Sequence, residues 1–427
     1  MSLVRGSTKT RAPDSDAFYV PPPDLSSSEH GDVIWSRPLS GPAALHGTQL
    51  GEIVVGVPAM APGIAALLSS SPHNELVLYR SESVDGAPIG VSGIVALPRL
   101  PPPPGGYPVV SWAHGTLGLA ARGAPSRDSE EMGRSLPEHH QINQAPHVLL
   151  EAFLARGWAV VMTDYEALGT PGTHPYLLGE SEARGILDIV RAARQLFPQI
   201  SRRLAIVGHS QGGQAALFGA HHAPAWTPEL DLRGVAALAP ASHVKDGLLQ
   251  GAKAAVTFPG FAFTPLMLAG AIAGSRAGAT AAGEPIDPAQ VLTEEALALF
   301  AASGDKTRVE LSRADSWGGI LGTRQFRGDI VGAPNEHQRE FLRQLDLTNP
   351  ALKVSAPIRI AHAQPDTRVG IAGTNTLVAE LGALGNQVTY RIYPQVGDGA
   401  GLGPHFGIIE TDVPEMLAWL EHRLSGI

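Results

Sequence analysis

A serine lies between two glycines at the end of an apolar run, in the ten residues AIVGHSQGGQ. Gly208 and Gly212 flank Ser210 with the spacing G-x-S-x-G, and a helix pattern of small residues follows. Glycines at this spacing leave room for a strained strand-to-helix turn that holds the serine hydroxyl clear of the sheet. We therefore predict a nucleophile elbow formed by Gly208, His209, Ser210 and Gly212. A capping serine in an ordinary loop is the alternative, because such short motifs also arise by chance.

A serine nucleophile needs two partners further along the chain. Its hydroxyl needs a base, normally histidine, and that imidazole needs an acceptor that fixes its tautomer. Asp366 directly follows the apolar run IRIAHA, and His405 opens a helix pattern after the run VTYRIYP. Because this order matches serine, acid and histidine at successive strand ends, we predict a catalytic triad of Ser210, Asp366 and His405. Asp398 is a rival acid, but it lies in a glycine-rich loop rather than after a strand.

A His-Gly pair follows another apolar run, in YPVVSWAHGTLG. Acyl transfer places negative charge on a carbonyl oxygen, and hydrogen-bond donors aimed at that oxygen stabilise it. We predict one donor at the amide of Gln211 and the other at Thr116 or Leu117, where Gly115 allows close approach of the backbone. A plain glycine turn is the alternative for this loop, and we expect His114 to be structural.

Strand and helix patterns alternate around these residues from residue 107 onward, and the last helix pattern runs near residues 406–423. Such alternation predicts an α/β fold with a mostly parallel sheet covered by helices on both faces. Two earlier β-rich runs, residues 76–80 and 89–97, predict an antiparallel pair at its edge. Residues 245–350 break the alternation with helix patterns of their own. We predict an irregular N-terminal segment at 1–50, a core at 51–244 and 351–427, and a helical cap at 245–350.

The predicted cap contains apolar side chains that could form a wall for an acyl chain. Packing within the cap is the alternative, because apolar residues in helices mostly serve cores. The triplet Asp164-Tyr165-Glu166, at the end of a predicted strand, is interpreted as stabilising its loop rather than lining the site. The candidate wall residues are Phe258, Phe261, Phe263, Leu266 and Met267.

Composition excludes several classes of function. The net charge is −9 and basic residues form no cluster, so no nucleic-acid partner is expected. The chain has no cysteine, which excludes thiolate catalysis, disulfides and cysteine metal sites. Its two His-His pairs are adjacent rather than one helical turn apart, so we expect no metal. The longest apolar stretch, residues 261–274, is interrupted and too short to span a bilayer, so no transmembrane helix is expected.

Five segments together resemble the secretory lipase family of α/β-hydrolases: AHGTLG, TDYEALGTPGTHPYLLGESEARGILDIVRAAR, GHSQGG, PDTRV and GPHFG. The resemblance covers residues 50–425 and implies an α/β-hydrolase core with a cap inserted before the strand that carries the acid. It also implies ester hydrolysis without metal or cofactor, with Ser210, Asp366 and His405 as the triad. The family pattern HGTTG places the outer oxyanion donor at Thr116 or Leu117. Leu117 replaces a threonine there, so a hydroxyl is lost and the amide is kept.

These residues and the resemblance predict a carboxylic ester hydrolase that acts on hydrophobic esters, as small-molecule substrates, through an acyl-enzyme, with transient contact between the cap and a lipid interface. A serine hydrolase or acyltransferase for amide, polyester or other acyl substrates is the alternative enzyme. A non-catalytic binding protein of the same fold is a third hypothesis. The family implies a secreted or periplasmic protein. Because the first 25 residues lack the apolar stretch of a signal peptide, we expect that peptide to have been removed, and a cytoplasmic location stays open.

Overall fold

The computed structural model describes residues 15–39, 67–282 and 285–425 of the chain. These residues form a central sheet of nine strands with helices on both faces. The strands are β1 (Val33–Leu39), β2 (His73–Glu82), β3 (Pro88–Leu97), β4 (Tyr107–Ala113), β5 (Ala159–Thr163), β6 (Ile200–His209), β7 (Asp231–Leu238), β8 (Ile358–Ala363) and β9 (Val388–Tyr393).

The described residues contain fourteen α-helices, which lie between and after these strands. They are α1 (Glu130–Ser135), α2 (Pro137–Gln144), α3 (His147–Ala155), α4 (Gly179–Leu196), α5 (Gln211–Trp226), α6 (Val244–Ala252), α7 (Phe263–Ala282), α8 (Pro288–Val291), α9 (Glu294–Ala301), α10 (Arg308–Leu311), α11 (Glu336–Leu347), α12 (Ile371–Ala383), α13 (Pro404–Thr411) and α14 (Val413–Leu424).

The strand order in the sheet is β1-β2-β3-β5-β4-β6-β7-β8-β9, and every neighbouring pair from β5 to β9 is parallel. Strands β4 and β5 are buried along their whole length, as continuous apolar runs predict for a sheet covered on both faces. Helices α3, α13 and α14 pack on one face, and α4, α5 and α12 pack on the other. The predicted mostly parallel, doubly covered sheet is confirmed.

The start of the sheet differs from the prediction. Strands β2 and β3 form the expected antiparallel pair, but β1 pairs with β2 and is the outermost strand. The prediction of irregular structure for residues 1–50 is therefore wrong for Val33–Leu39. Pro38 interrupts the strand pattern there, and a proline without an N–H is tolerated at a sheet edge. The rest of that prediction at residues 1–14 and 40–50, and the start of the predicted core at 51–66, lie outside the described residues.

Helices α6 to α11 follow one another between β7 and β8, in the region of the predicted cap. They share an apolar cluster that includes Leu266, Trp317 and Phe341. The cap also joins the core through its backbone: the Arg308 amide donates to the Leu117 carbonyl at 2.7 Å, and Gly118 bridges to Thr307. This contact connects the cap to the loop after β4.

No helix within the described part of the chain is both long enough and apolar enough to cross a membrane.

Candidate active site

Ser210 lies at the bend between β6 and α5 with φ 60° and ψ −121°. A positive φ is unfavourable for a residue with a side chain and persists only where the surroundings hold it. The Ser210 amide donates to the Leu238 carbonyl at 2.9 Å, and the Ser210 carbonyl accepts from the amides of Gly213 and Gln214. These bonds fix the strained bend from both sides, in the way expected of a nucleophile elbow.

The backbone segments around the elbow lie so close together that the two positions flanking the serine leave no room for a side chain. A Cβ placed on Gly208 would overlap the Gly212 carbonyl, and a Cβ on Gly212 would overlap the Ala113 carbonyl at the end of β4. The spacing G-x-S-x-G therefore lets the elbow pack directly against the neighbouring strand.

Asp366 and His405 come together although they lie on different elements. Asp366 lies in the turn after β8, and His405 in the first turn of α13, where its Nδ1 donates to Asp366 Oδ2 at 2.7 Å. The other Asp366 oxygen accepts from the amides of Arg368 and Val369. Burial alone would raise the pKa of Asp366, but the His405 contact and these amides outweigh it and lower the pKa. The carboxyl is thus ionised at neutral pH.

His209, directly before the serine, connects the elbow to His405. Its Nε2 donates to the His405 carbonyl oxygen at 2.7 Å, and the two ring centroids are 4.5 Å apart. Burial lowers the pKa of His209 well below its ordinary value, so the ring is neutral. Among the described residues, the Ser210 hydroxyl forms no hydrogen bond, including none to His405. Catalytic hydrogen bonds are often loose without substrate and tighten in the complex.

The rival acid occupies a different environment. Asp398 Oδ1 accepts from the Ala400 amide at 3.0 Å, and its backbone carbonyl accepts from the Gly401 and Gly403 amides. Asp398 therefore shapes the glycine-rich loop before α13, whereas Asp366 contacts His405.

His362 is a site residue that the sequence did not suggest. It is fully buried in β8, where its Nε2 donates to the Val369 carbonyl at 2.9 Å and its Nδ1 accepts from the Thr374 hydroxyl. The same Nε2 lies 3.6 Å from Asp366 Oδ2. His362 thereby fixes the turn that carries the acid. Its position four residues before Asp366 is the signal that could have revealed it.

The loop after β4 lies beside the elbow. A Cβ on Gly115 would be 3.5 Å from the Ser210 Cβ, so the two backbones are close neighbours. The amides of Thr116, Leu117 and Gln211 donate to no acceptor within the described residues. All the predicted oxyanion donors are thus near the serine and unpaired. His114 Nδ1 donates to the Gly115 carbonyl, and burial lowers the pKa of His114 to about 4, so this ring is neutral.

The residues after β5 pack against the loop after β4. Asp164 is buried and accepts hydrogen bonds from the hydroxyls of Ser92 and Ser126, while Glu166 accepts from the Ser181 hydroxyl. These contacts hold the loop, as interpreted from the sequence.

Three residues further along the chain contact the side chains of predicted oxyanion donors. Tyr176 shares a hydrogen bond with Thr116, and the Gln211 side chain donates to His174 and Glu182. These three residues were not predicted from the sequence.

The five candidate wall residues lie in the cap, and their exposure differs. Leu266 and Met267 belong to the apolar cluster of the cap, while Phe258 is 54% exposed. An apolar cavity of about 30 Å³ lies instead beside the elbow, bordered by Gly115, Leu117, His209 and Phe406, with α2 and α3 on its far side. None of the five lines this cavity, and the acyl wall stays a prediction. The remaining wall residues are Phe261, which is buried, and Phe263, which is partly buried.

Within the described residues, no group of three histidine, aspartate or glutamate side chains is arranged to bind a metal ion.

Residues 136–271 match the family model of the secretory lipases. Over this segment the chain is similar to that family. The matched segment includes Ser210 and Gln211 but ends before Asp366 and His405. The secretory lipase relationship predicted from the sequence is thus confirmed in the part of the chain that carries the elbow.

Two curated relatives match about half of the chain. Lipase 7 of Candida albicans is 28% identical over 230 residues, which are 52% of this chain and 46% of that protein. A protein of Mycobacterium tuberculosis named as a probable inactive lipase is 24% identical over 225 residues, 52% of this chain and 44% of that protein. The chain thus spans less than half the length of each of these two relatives.

Solved structures show the fold. The rice cell wall degrading esterase LipA of Xanthomonas oryzae has a TM-score of 0.63 at 20% identity, over 82% of this chain and 91% of that one. Candida antarctica lipase A has a TM-score of 0.63 at 17% identity, over 89% of this chain and 80% of that one. The α/β-hydrolase fold expected from the secretory lipase resemblance is confirmed.

Proposed function

We propose that this protein is a serine-dependent carboxylic ester hydrolase with Ser210, Asp366 and His405 as its triad. One observation carries the proposal: the strained bend that bears Ser210 is bonded directly to the residue that contacts Asp366. His209, next to Ser210, donates a hydrogen bond to the His405 carbonyl, and the His405 ring donates to Asp366. Three unpaired amides adjoin the same bend. This combination supplies a nucleophile, a base with an ionised partner and donors for a developing oxyanion.

The proposed reaction has two halves. His405 Nε2 accepts the Ser210 proton as the hydroxyl attacks the ester carbonyl, while the amides of Gln211 and of Thr116 or Leu117 donate to the oxyanion. His405 then returns the proton to the departing alcohol. In the second half His405 activates water, which releases the acid and frees Ser210. Asp366 remains ionised and stabilises the imidazolium throughout.

Hydrophobic esters are the substrates that we propose for this site. The side chains that border the cavity beside the elbow, Leu117 and Phe406 among them, are mainly apolar, although the cavity itself, at about 30 Å³, is too small for an acyl chain. The relationship to secretory lipases supports export of the protein and transient contact of the cap with a lipid surface. Amide, polyester or acyl-transfer substrates use the same chemistry and are the alternative within this class.

A non-catalytic role is the second candidate, because one relative carries the name of a probable inactive lipase. Proteins that lose catalysis on this fold commonly lose a triad member, whereas Ser210, Asp366 and His405 are all present here. A fluorophosphonate probe separates the two candidates, since it labels only an activated serine. Labelling of the wild type but not of Ser210→Ala supports the enzyme, and absence of labelling in both supports a binding role.

Hydrolysis of p-nitrophenyl esters from acetate to palmitate, below and above micelle formation, tests the function itself. We expect turnover by the wild type and none by Ser210→Ala. A rate that is highest for short chains without an interfacial increase indicates an esterase with a confined pocket. A rate that increases with chain length at the interface indicates a lipase with a mobile cap. Equal turnover by Ser210→Ala and the wild type would overturn the proposal.

A further inference from the structure

A buried carboxyl group contacts the side chain of one predicted oxyanion donor. Gln211 Nε2 donates to Glu182 Oε1 on α4 at 2.6 Å and to His174 Nε2 at 3.0 Å, so both of its amide hydrogens are used. Gln211 is 1% exposed, and Glu182 is fully buried. The proposed reaction uses only the backbone amide of Gln211 and leaves this side-chain network unexplained.

The donors and acceptors of this network are consistent with one another. His174 Nδ1 donates to the Glu166 carbonyl at 2.9 Å, which leaves Nε2 free to accept from Gln211. Burial lowers the pKa of His174 to about 4, so the ring stays neutral and keeps this tautomer at neutral pH. The Leu177 amide also donates to Glu182 Oε1, at 3.2 Å. The Gln211 side chain is therefore held in one orientation.

The same segment also contacts Thr116, one of the two candidates for the other predicted donor. The hydroxyls of Tyr176 and Thr116 are 2.9 Å apart and share a hydrogen bond. The Tyr165 hydroxyl donates to the His114 carbonyl at 3.0 Å, and its ring packs against the rings of His114 and His174. Residues 165–182, which we term the brace, thus contact both sides of the predicted oxyanion site.

Backbone strain is concentrated in the brace. Tyr165, Ala167 and Leu177 have φ angles of 68°, 56° and 60° although none is glycine. Such conformations are unfavourable and persist only where surrounding contacts hold them, often at functional sites.

We propose that the brace sets the positions of both oxyanion donors, with Glu182 and His174 acting on Gln211 and Tyr176 acting on Thr116. These are positioning residues, and the inference rests on the proposed hydrolase function. An oxyanion donor is effective only at about 2.7–3.1 Å from the oxygen, so a small rotation of Gln211 at the first turn of α5 weakens it. Holding the side chain of Gln211 limits that rotation.

The protonation of Glu182 agrees with this role. Burial raises the pKa of Glu182 to about 8, and its Oε2 has no hydrogen-bond partner among the described residues. The carboxyl is therefore mostly protonated at pH 7 and adds little negative charge beside a developing oxyanion. The titratable groups around it are Tyr165, Tyr176 and His174, and burial raises the pKa of both tyrosines.

The test compares two buried glutamines of the same helix. Gln214 lies one turn after Gln211, and its Nε2 donates to the Leu177 and Thr348 carbonyls at 3.1 Å. Gln211→Leu and Gln214→Leu each remove a buried side-chain amide that contacts the brace. Only Gln211→Leu removes hydrogen bonds that restrain a residue whose backbone amide is a predicted oxyanion donor. Both variants are assayed with the most rapidly cleaved p-nitrophenyl ester, and folding is measured by thermal unfolding.

We expect Gln211→Leu to lower kcat by about 10- to 100-fold with little change in KM, because the lost interaction belongs to the transition state. Gln214→Leu should keep kcat within about threefold of the wild type even where it lowers Tm. Equal kcat values for the two variants would overturn the inference.

The conservative changes give an independent readout. Glu182→Gln keeps an acceptor for Gln211 without a charge, so its kcat should stay within about threefold of the wild type, whereas Glu182→Ala should lower kcat about tenfold or more. Tyr176→Phe keeps the ring and should lower kcat several-fold through Thr116. If Glu182→Ala folds and turns over like the wild type, the brace does not position Gln211.

Fluorophosphonate labelling separates failure of this inference from failure of the proposed function. Absence of label on Ser210 in the wild type rejects the hydrolase itself. Full labelling of Ser210 together with wild-type kcat in Gln211→Leu and Tyr176→Phe rejects only the brace.

Discussion

The imidazole of His209 donates from Nε2 to the carbonyl oxygen of His405 at 2.7 Å. The residue before the proposed nucleophile therefore holds the backbone of the proposed base. Because burial keeps the His209 ring neutral, Nε2 carries the only proton, and the bond has one direction.

Removing this bond should displace His405. We expect His209→Phe to lower kcat/KM about tenfold, because a shift of about 1 Å at a catalytic group has effects of this size or larger. His221→Phe is a matched control, since His221 also contacts a carbonyl, that of Lys353 at 2.7 Å, but lies near the far end of α5. Steady-state kinetics of both variants check this, and an equal effect of the two would show that the loss is not specific to His405.

The identity of the acid can be settled with two asparagine variants. Asp366→Asn removes the ionised partner of His405 and should lower kcat by about 10³- to 10⁴-fold, since the imidazole then takes the wrong tautomer. Asp398→Asn changes the glycine-rich loop before α13 but leaves the His405 contact intact, so we expect less than about a tenfold effect. Measured kcat values in the reverse order would assign the acid to Asp398.

A glycine in the loop after β4 keeps the cap close to the oxyanion donors. Gly118 has φ 119°, and a Cβ there would lie 2.6 Å from the Arg308 nitrogen, whose amide donates to Leu117. Gly118→Ala should therefore cost about 1–3 kcal/mol of unfolding free energy and lower kcat as the loop shifts.

Gly304 in the cap provides the control for this substitution, because a Cβ there meets no atom within 4 Å. Urea unfolding and ester hydrolysis of Gly118→Ala and Gly304→Ala check the expectation. Unchanged stability and turnover in Gly118→Ala would mean that the cap contact tolerates the extra carbon.

The sequence predicted the parts of this molecule that depend on local signals. Ser210, Asp366 and His405 each follow a predicted strand, and all three strands are parallel in the structure; β6 and β8 are mostly buried, whereas β9, before His405, is a largely exposed edge strand. Their convergence at one sheet edge follows from the topology, which brings the carboxyl ends of parallel strands together. Whether these residues catalyse a reaction stays a proposal that the variants above test.

Features fixed by distant contacts could not be predicted in this way. The helix expected near residues 406–423 is interrupted at Asp412, which forms a paired hydrogen bond with the buried Arg359 of β8. Likewise, Glu182 lies in an ordinary amphipathic helix pattern, and only the fold places it against Gln211. A local sequence pattern carries no information about a buried polar partner that is distant in the sequence.

The raised pKa of Glu182 makes stability depend on pH. Its ordinary value is 4.5 and burial raises it to about 8. Below pH 4.5 both the folded and the unfolded state hold the proton, and the contribution of Glu182 to stability is fully present. Between pH 4.5 and about 8 only the unfolded state releases the proton, so the free energy of unfolding falls as pH rises.

Glu182→Gln lacks this proton and should not show the loss. We expect its stability relative to the wild type to increase by about 2–5 kcal/mol between pH 5 and pH 8, measured by urea unfolding at several pH values. Burial lowers the pKa of His174 to about 4 and raises the pKa of the two neighbouring tyrosines, and because the substitution leaves these groups buried, we expect their contributions to cancel in the difference. A difference that is flat across this range would mean that Glu182 is ionised in the folded protein, with its two amide donors outweighing the cost of burial.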